Sequence, residues 1–169
     1  MALNDQLKGR LQQAVEKRLP AVMDLYRHLH SHPELSGQEV NTAAGAAQEL
    51  RRAGLQVATN LGGHGVAGLL RNGCGRRLLI RGDMDALPLR EETGLEYAST
   101  ASGLGPAGEP VPVMHACGHD LHTSVVLGAA AILAELRTEW AGELIVACQP
   151  AEGPVGGAKF MIADGLYER

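Results

Sequence analysis

Two periodicities alternate along the 169 residues, and this alternation constrains the fold more than any other feature. RRLLIRGDMD (76–85) holds a nearly continuous apolar run that ends in Asp83 and Asp85. Such a run suits a central strand delivering polar groups at its carboxyl end. GELIVACQPAEG (142–153) is a second buried strand, broken by Pro150. Between them Leu121, Val125, Gly128, Ala129, Ile132, Leu133 and Leu136 recur at i, i+4, i+7, i+8, i+11, i+12 and i+15, which is helical spacing. Strand, helix and strand in succession argue for an α/β fold of three layers, a sheet with helices on both faces.

The remaining segments fit that frame. Leu3, Leu7, Leu11, Val15 and Leu19 mark a first helix. Pro20 permits a new helix start, so AVMDLYRHLHSH reads as a second, ended by His32-Pro33 because the residue before proline is pushed out of the α region. QEVNTAAGAAQELRRAG is a third helix, with Gly54 as its stop. LQVATN and GVAGLLRN are strands, and Asn72-Gly73 predicts a hairpin joining GVAGLLRN to RRLLIRGDMD. Residues 93–113, rich in Gly and Pro, form a long irregular loop of the kind that often carries function. GGAKFMIADGL begins a last helix.

Composition narrows the function classes. A formal net charge of −4 gives no electrostatic reason to expect nucleic acid or an anionic membrane surface. The N-terminal segment is polar and amphipathic, with no apolar core of signal-peptide type and no stretch long enough to span a bilayer. Three scattered cysteines make no disulfide framework and point to a reducing compartment, so a cytoplasmic protein is expected. Aromatic residues make up 3% of the chain, so the core must be built from Leu, Val, Ile and Ala.

Three polar clusters follow apolar strands or glycine-rich approaches: GDMDALP with Asp83 and Asp85, HACGHDLH (115–122), and QPAEG with Glu152. Ligands collect at the carboxyl ends of strands in open α/β sheets, so the clusters can converge. Cys117 and His119, two apart, offer sulfur and nitrogen ligands on one side of an extended segment, which suit Zn²⁺ and its neighbours. His119 and His122 share a helix face if the helix starts early, and Asp120 either caps that helix or orients an imidazole. Each residue also has a plainer explanation. Asp83 and Asp85 end a strand in a turn, His28, His30, His32 and His115 are surface or hydrogen-bonded histidines, Cys148 is a core residue, and Cys74 is incidental.

Together LHSHPELSGQE, IRGDMDALPLRE, MHACGHDLHTSVVLGAA and QPAEGPVGGAKFMIADG resemble the N-terminal half of the metal-dependent N-acyl-amino-acid amidohydrolases. This family includes hippurate hydrolase and the plant auxin-conjugate hydrolases, within the aminoacylase/carboxypeptidase superfamily. The resemblance implies hydrolysis of the amide of an N-acyl amino acid by water held on two divalent metals (Mn, Zn, Co or Ni). It implies Cys117 and His119 as metal ligands, Glu152 as general base or ligand, and Asp85 in a supporting role. It implies residues 1–169 as the N-terminal part of a catalytic domain, with a lid and dimerisation domain and two further histidine ligands beyond them. A homodimer is implied only for the complete form.

One departure stands out. The family's motif has two successive glutamates, whereas Gly153 follows Glu152 here. Loss of a general base costs about 10²–10⁴-fold in rate. The expectation is therefore a chain with weak metal affinity and little or no hydrolysis by itself. Two alternatives stay open: a non-catalytic remnant that acts as a binding or partner module, and a small structural zinc site at Cys117 and His119.

Overall fold

The computed structural model describes residues 4–153 and 156–168. Helix α1 (Asp5–Ser31) opens on Asn4, whose side chain accepts the Leu7 N–H at 2.7 Å and so satisfies one of the first-turn donors. Leu3, where the helical spacing begins, lies outside the described residues. The helix does not break at Pro20 as the sequence predicts, but runs through it. Pro20 and Glu16, whose carbonyl loses its partner, are both exposed, so water can take the missing donor's place. His32, before Pro33, ends the helix as expected.

Helix α2 (Val40–Arg52) follows, then strands β1 (Gln56–Leu61), β2 (Gly65–Asn72) and β3 (Arg76–Asp83). Two short strands, β4 (Ser102–Leu104) and β5 (Pro110–Pro112), pair with each other inside the long Gly/Pro loop. Helix α3 (His119–Glu135), strand β6 (Gly142–Gln149) and helix α4 (Gly157–Ala163) complete the chain.

The main sheet has the order β1-β2-β6-β3. β2 pairs antiparallel with β1 and with β6, whereas β3 pairs parallel with β6. β3, α3 and β6 are thus a β–α–β unit, the connection that parallel neighbours require. This arrangement overturns the hairpin predicted at Asn72-Gly73. Gly73 does take a left-handed turn, with φ at 76°, but β6 lies between the two strands that it joins. The crossing is possible because the backbones meet at glycines. A Cβ on Gly142 would lie 2.2 Å from the Arg76 carbonyl oxygen, and one on Gly75 2.5 Å from that of Ala141. The local turn signal was correct, but the pairing went to the strand with the greater apolar content.

β3 is also not central among the described strands but lies at the edge, where Leu78 is 54% exposed. β6 takes the interior place, and Leu144 to Cys148 are all buried. Helices α1, α2 and α3 cover one face, packing Ala43, Ala47, Leu50 and Val126 against Val66 and Val146. The other face holds Leu61, Ala67, Ile145 and Ala147 under Met161 of α4 and Leu166. Among the described residues, no helix is long and apolar enough to cross a membrane.

Candidate metal centre

The carboxyl ends of β3 and β6 and the first turn of α3 meet at one place. Gly82 makes the approach possible: a Cβ there would lie 3.0 Å from the His122 carbonyl oxygen and 3.1 Å from Val126. Thr123 Oγ1 donates to the Asp83 carbonyl at 2.7 Å and locks strand end to helix start. Gly118 precedes α3 in a left-handed conformation, with φ at 78°, and turns the chain sharply from Cys117 into the helix.

Asp83, His119 and His122 bring one carboxylate oxygen and two imidazole nitrogens within 4.8 Å of one another. His122 Nδ1 donates to Asp83 Oδ1 at 2.8 Å, His119 Nε2 lies 3.7 Å from Asp83 Oδ2, and the two imidazoles stack with centroids 5.7 Å apart. Arg81 places Nη2 3.0 Å from Asp83 Oδ2. Burial works to raise the Asp83 pKa, yet the His122 hydrogen bond, His119 and Arg81 together hold its carboxyl below the usual range.

Asp85 organises the neighbouring side. Its backbone carbonyl and its Oδ1 accept from His119 Nδ1 at 2.8 and 3.1 Å, which fixes the tautomer and turns Nε2 toward Asp83. Its Oδ2 accepts from Ser36 Oγ at 2.5 Å and from the Glu152 backbone N–H at 3.1 Å. Asp85 is therefore the joint between the histidine side of the site and the Glu152 turn.

Two nitrogens and a carboxylate oxygen, with one imidazole held by an acid on its far nitrogen, form a donor set that fits a divalent metal such as Zn²⁺. Cys117 is an exposed free thiol two residues before His119 and lies outside the Asp83–His119–His122 group. Glu152 and Gly153 are exposed, and Pro154 and Val155 of the QPAEGPVGGA motif lie outside the described residues. Cys148 is buried and its thiol pushed up to about 12 by desolvation, as befits a core residue, and Cys74 is exposed in its turn.

Asp120 takes the orienting role, but toward a histidine the sequence did not single out. Its Oδ2 lies 2.6 Å from His30 Nδ1, and His30 Nε2 lies 2.9 Å from Glu91 Oε1. Only an imidazolium donates from both nitrogens. Burial alone would lower the His30 pKa, and the bonds to Glu91 and Asp120 raise it instead. His115 also differs from an ordinary hydrogen-bonded histidine. It is buried, neither nitrogen has a partner among the described residues, and desolvation lowers its pKa to about 4. Sequence reasoning left Asp83 and His122 in second place. Their signal was spacing: His119 and His122 stand three positions apart on one helix, and Asp83 closes the strand facing them.

Comparison with known proteins places the chain in a family. The chain is 44% identical over 161 residues to a probable hydrolase of Synechocystis sp., covering 94% of this chain and 38% of that protein. It is 42% identical to hippurate hydrolase of Campylobacter jejuni (89% and 39% covered) and 39% identical to N-acyl-L-amino acid amidohydrolase of Geobacillus stearothermophilus (95% and 42%). The chain thus spans about two fifths of the length of these relatives. Among solved structures, the YXEP protein of Bacillus subtilis, a dinuclear metal binding peptidase from the M20 family, superposes with a TM-score of 0.77 at 34% identity, covering 87% of this chain and 39% of that one. The model of peptidase family M20/M25/M40 matches residues 79–169, which begin in β3 and take in Asp83, Asp85, His119, His122 and Glu152. The chain belongs to peptidase family M20/M25/M40.

Proposed function

We propose that this chain carries the N-terminal part of a hydrolase site acting on the amide bond of N-acyl amino acids, hippurate-like or N-acetylated. The observation that carries the reading is the Asp85 junction, which holds His119 on one oxygen and the Glu152 backbone on the other. Support for the substrate class comes from the relatives named for hippurate and N-acyl-L-amino acids.

In this reading Cys117 and His119 are metal ligands, with Asp83 and His122 beside them. A bound divalent ion there would supply Lewis acidity and lower the pKa of bound water. Asp85 holds the His119 ring so that Nε2 stays available. Glu152 is the general base: its exposed carboxylate removes a proton from water and returns it to the leaving amine. Gly153 contributes no carboxylate, so these residues by themselves are a weak catalyst. Residues 1–169 form part of one catalytic domain, and lid and dimer contacts belong to the complete family form. A purely binding role is the competing outcome.

The experiment is titration of the chain with Zn²⁺, Mn²⁺ and Co²⁺, paired with an assay on N-benzoyl and N-acetyl amino acids. Binding that weakens at least about tenfold in His119→Ala is expected. Any turnover should fall about 10²–10⁴-fold in Glu152→Gln. Equal metal affinity in wild type and His119→Ala would refute the site. Turnover unchanged in Glu152→Gln would remove Glu152 as base, and binding of N-acyl amino acids with no turnover at all would favour the binding role.

A further inference from the structure

We propose that Glu39 is a positioning residue that sets where Glu152 stands, through a buried carboxylate clamp on the turn immediately before it. The inference rests on the reading of Glu152 as base.

Glu39 sits at the start of α2 and is 0% exposed. A carboxylate at a helix N-terminus ordinarily caps the helix's own free N–H groups. Glu39 makes no such bond. Glu34 does that work instead, its two carboxylate oxygens accepting from the N–H groups of Asn41 and Thr42 at 3.0 and 2.8 Å. Glu39 is thereby left to reach 112 residues along the chain, where its Oε1 accepts the Ala151 N–H at 2.7 Å.

Ala151 is a place that needs such a hold. Its φ is 46°, a left-handed conformation unfavourable for a residue with a Cβ. Asp85 Oδ2 takes the next amide, that of Glu152. Two buried carboxylates therefore grip successive N–H groups at the point where β6 gives way to the Glu152 turn. One short segment governs both: Ser36 donates to Asp85, the Glu34 carbonyl accepts the Ala86 N–H at 2.8 Å, and Glu39 holds Ala151. Residues 34–39 thus set the Asp85 loop and the Glu152 turn against one frame. A buried carboxylate whose one bond goes to a strained backbone, with Oε2 unpartnered among the described residues, costs stability unless it fixes something.

The test is amide hydrogen exchange by NMR on the 169-residue chain. Ala151 lies outside helix and strand, yet its amide in the wild type should be protected at least about tenfold over that of Gly153. Glu39→Met keeps the volume and removes the acceptor, so protection at Ala151 and Glu152 should be lost while β6 amides keep theirs. Glu39→Gln keeps an acceptor oxygen and should restore it. With Mn²⁺ added, the Glu152 signals should broaden in the wild type and in Glu39→Gln, and less in Glu39→Met, with the effect at His119 and His122 unchanged.

An Ala151 amide that exchanges as fast as Gly153 in the wild type would overturn the clamp, whether or not the Met variant folds. So would indistinguishable exchange in the Met and Gln variants. Equal broadening of Glu152 in wild type and Glu39→Met would reduce Glu39 to a structural role. Absence of any Mn²⁺ effect at His119 and His122 sinks the metal reading alone, and the clamp is then judged by exchange.

Discussion

The two faces of the main sheet carry the same kind of side chain but are finished differently. On one, three helices bury the sheet under Ala43, Ala47, Leu50, Val126 and Ala130. On the other, α4 and the segment after it cover Ile145 and Ala147, while Leu69 and Leu79 stay half-buried. The strands alternate in burial only weakly because β6 must be apolar toward both sides. What differs is the length of helix available to each face. The helical face can hold a site rigidly, since α3 brings His119 and His122 to the strand ends with its own packing behind them.

That contrast can be broken by mutation, starting where the largest effect is expected. Leu50→Ala on the helical face should cost about 3–5 kcal/mol, because Leu50 is fully enclosed and its loss leaves a cavity. Urea unfolding measures it, and a loss near 1 kcal/mol would mean that face is no better packed than the other. The next effect is electrostatic. His115 binds a proton less readily folded, near 4, than unfolded, near 6.5, so its contribution is fully present above 6.5 and is lost as pH falls toward 4. The span corresponds to about 3 kcal/mol, read as the unfolding midpoint against pH, and His115→Leu should flatten that part of the curve.

Gly82→Ala probes the closeness of α3 to β3. The added Cβ has 3.0 Å to the His122 carbonyl oxygen, so about 1–3 kcal/mol should be lost and His122 should leave Asp83. A structure of the variant reads the second effect, and a His122–Asp83 contact still at 2.8 Å would show that the added methyl is absorbed without moving α3. Leu69→Ala on the sparsely covered face should cost about 1–2 kcal/mol, less than Leu50→Ala, since its side chain is only partly buried. Smallest of all, Leu78→Thr at the exposed edge should stay within about 0.5 kcal/mol. Costs at Leu69 and Leu50 that come out equal would erase the distinction between the faces.

Much of this architecture was legible beforehand. The strand at 65–72 coincides with the GVAGLLRN segment, and α3 follows the 121–136 periodicity, starting early enough to include His119. Asp85, His119 and the Glu152 turn do meet, which the placement of their clusters after strands and a glycine-rich approach allowed but did not require. The Asn72-Gly73 hairpin failed because a turn residue reports backbone conformation and not which strand pairs with which. The split at Pro20 failed because proline's penalty depends on whether water can reach the carbonyl it orphans, and exposure is a tertiary property.

Sequence alone determined the types of the longer elements, the layered α/β class and the residue types available for chemistry, since these rest on local periodicity and composition. Tertiary structure alone decided the strand order, the pairing of Asp83 with His122, the clamping of His30 between two acids, and the reach of Glu39 to Ala151. Each of these joins residues far apart in the chain, and no spacing rule encodes a contact that only packing brings about.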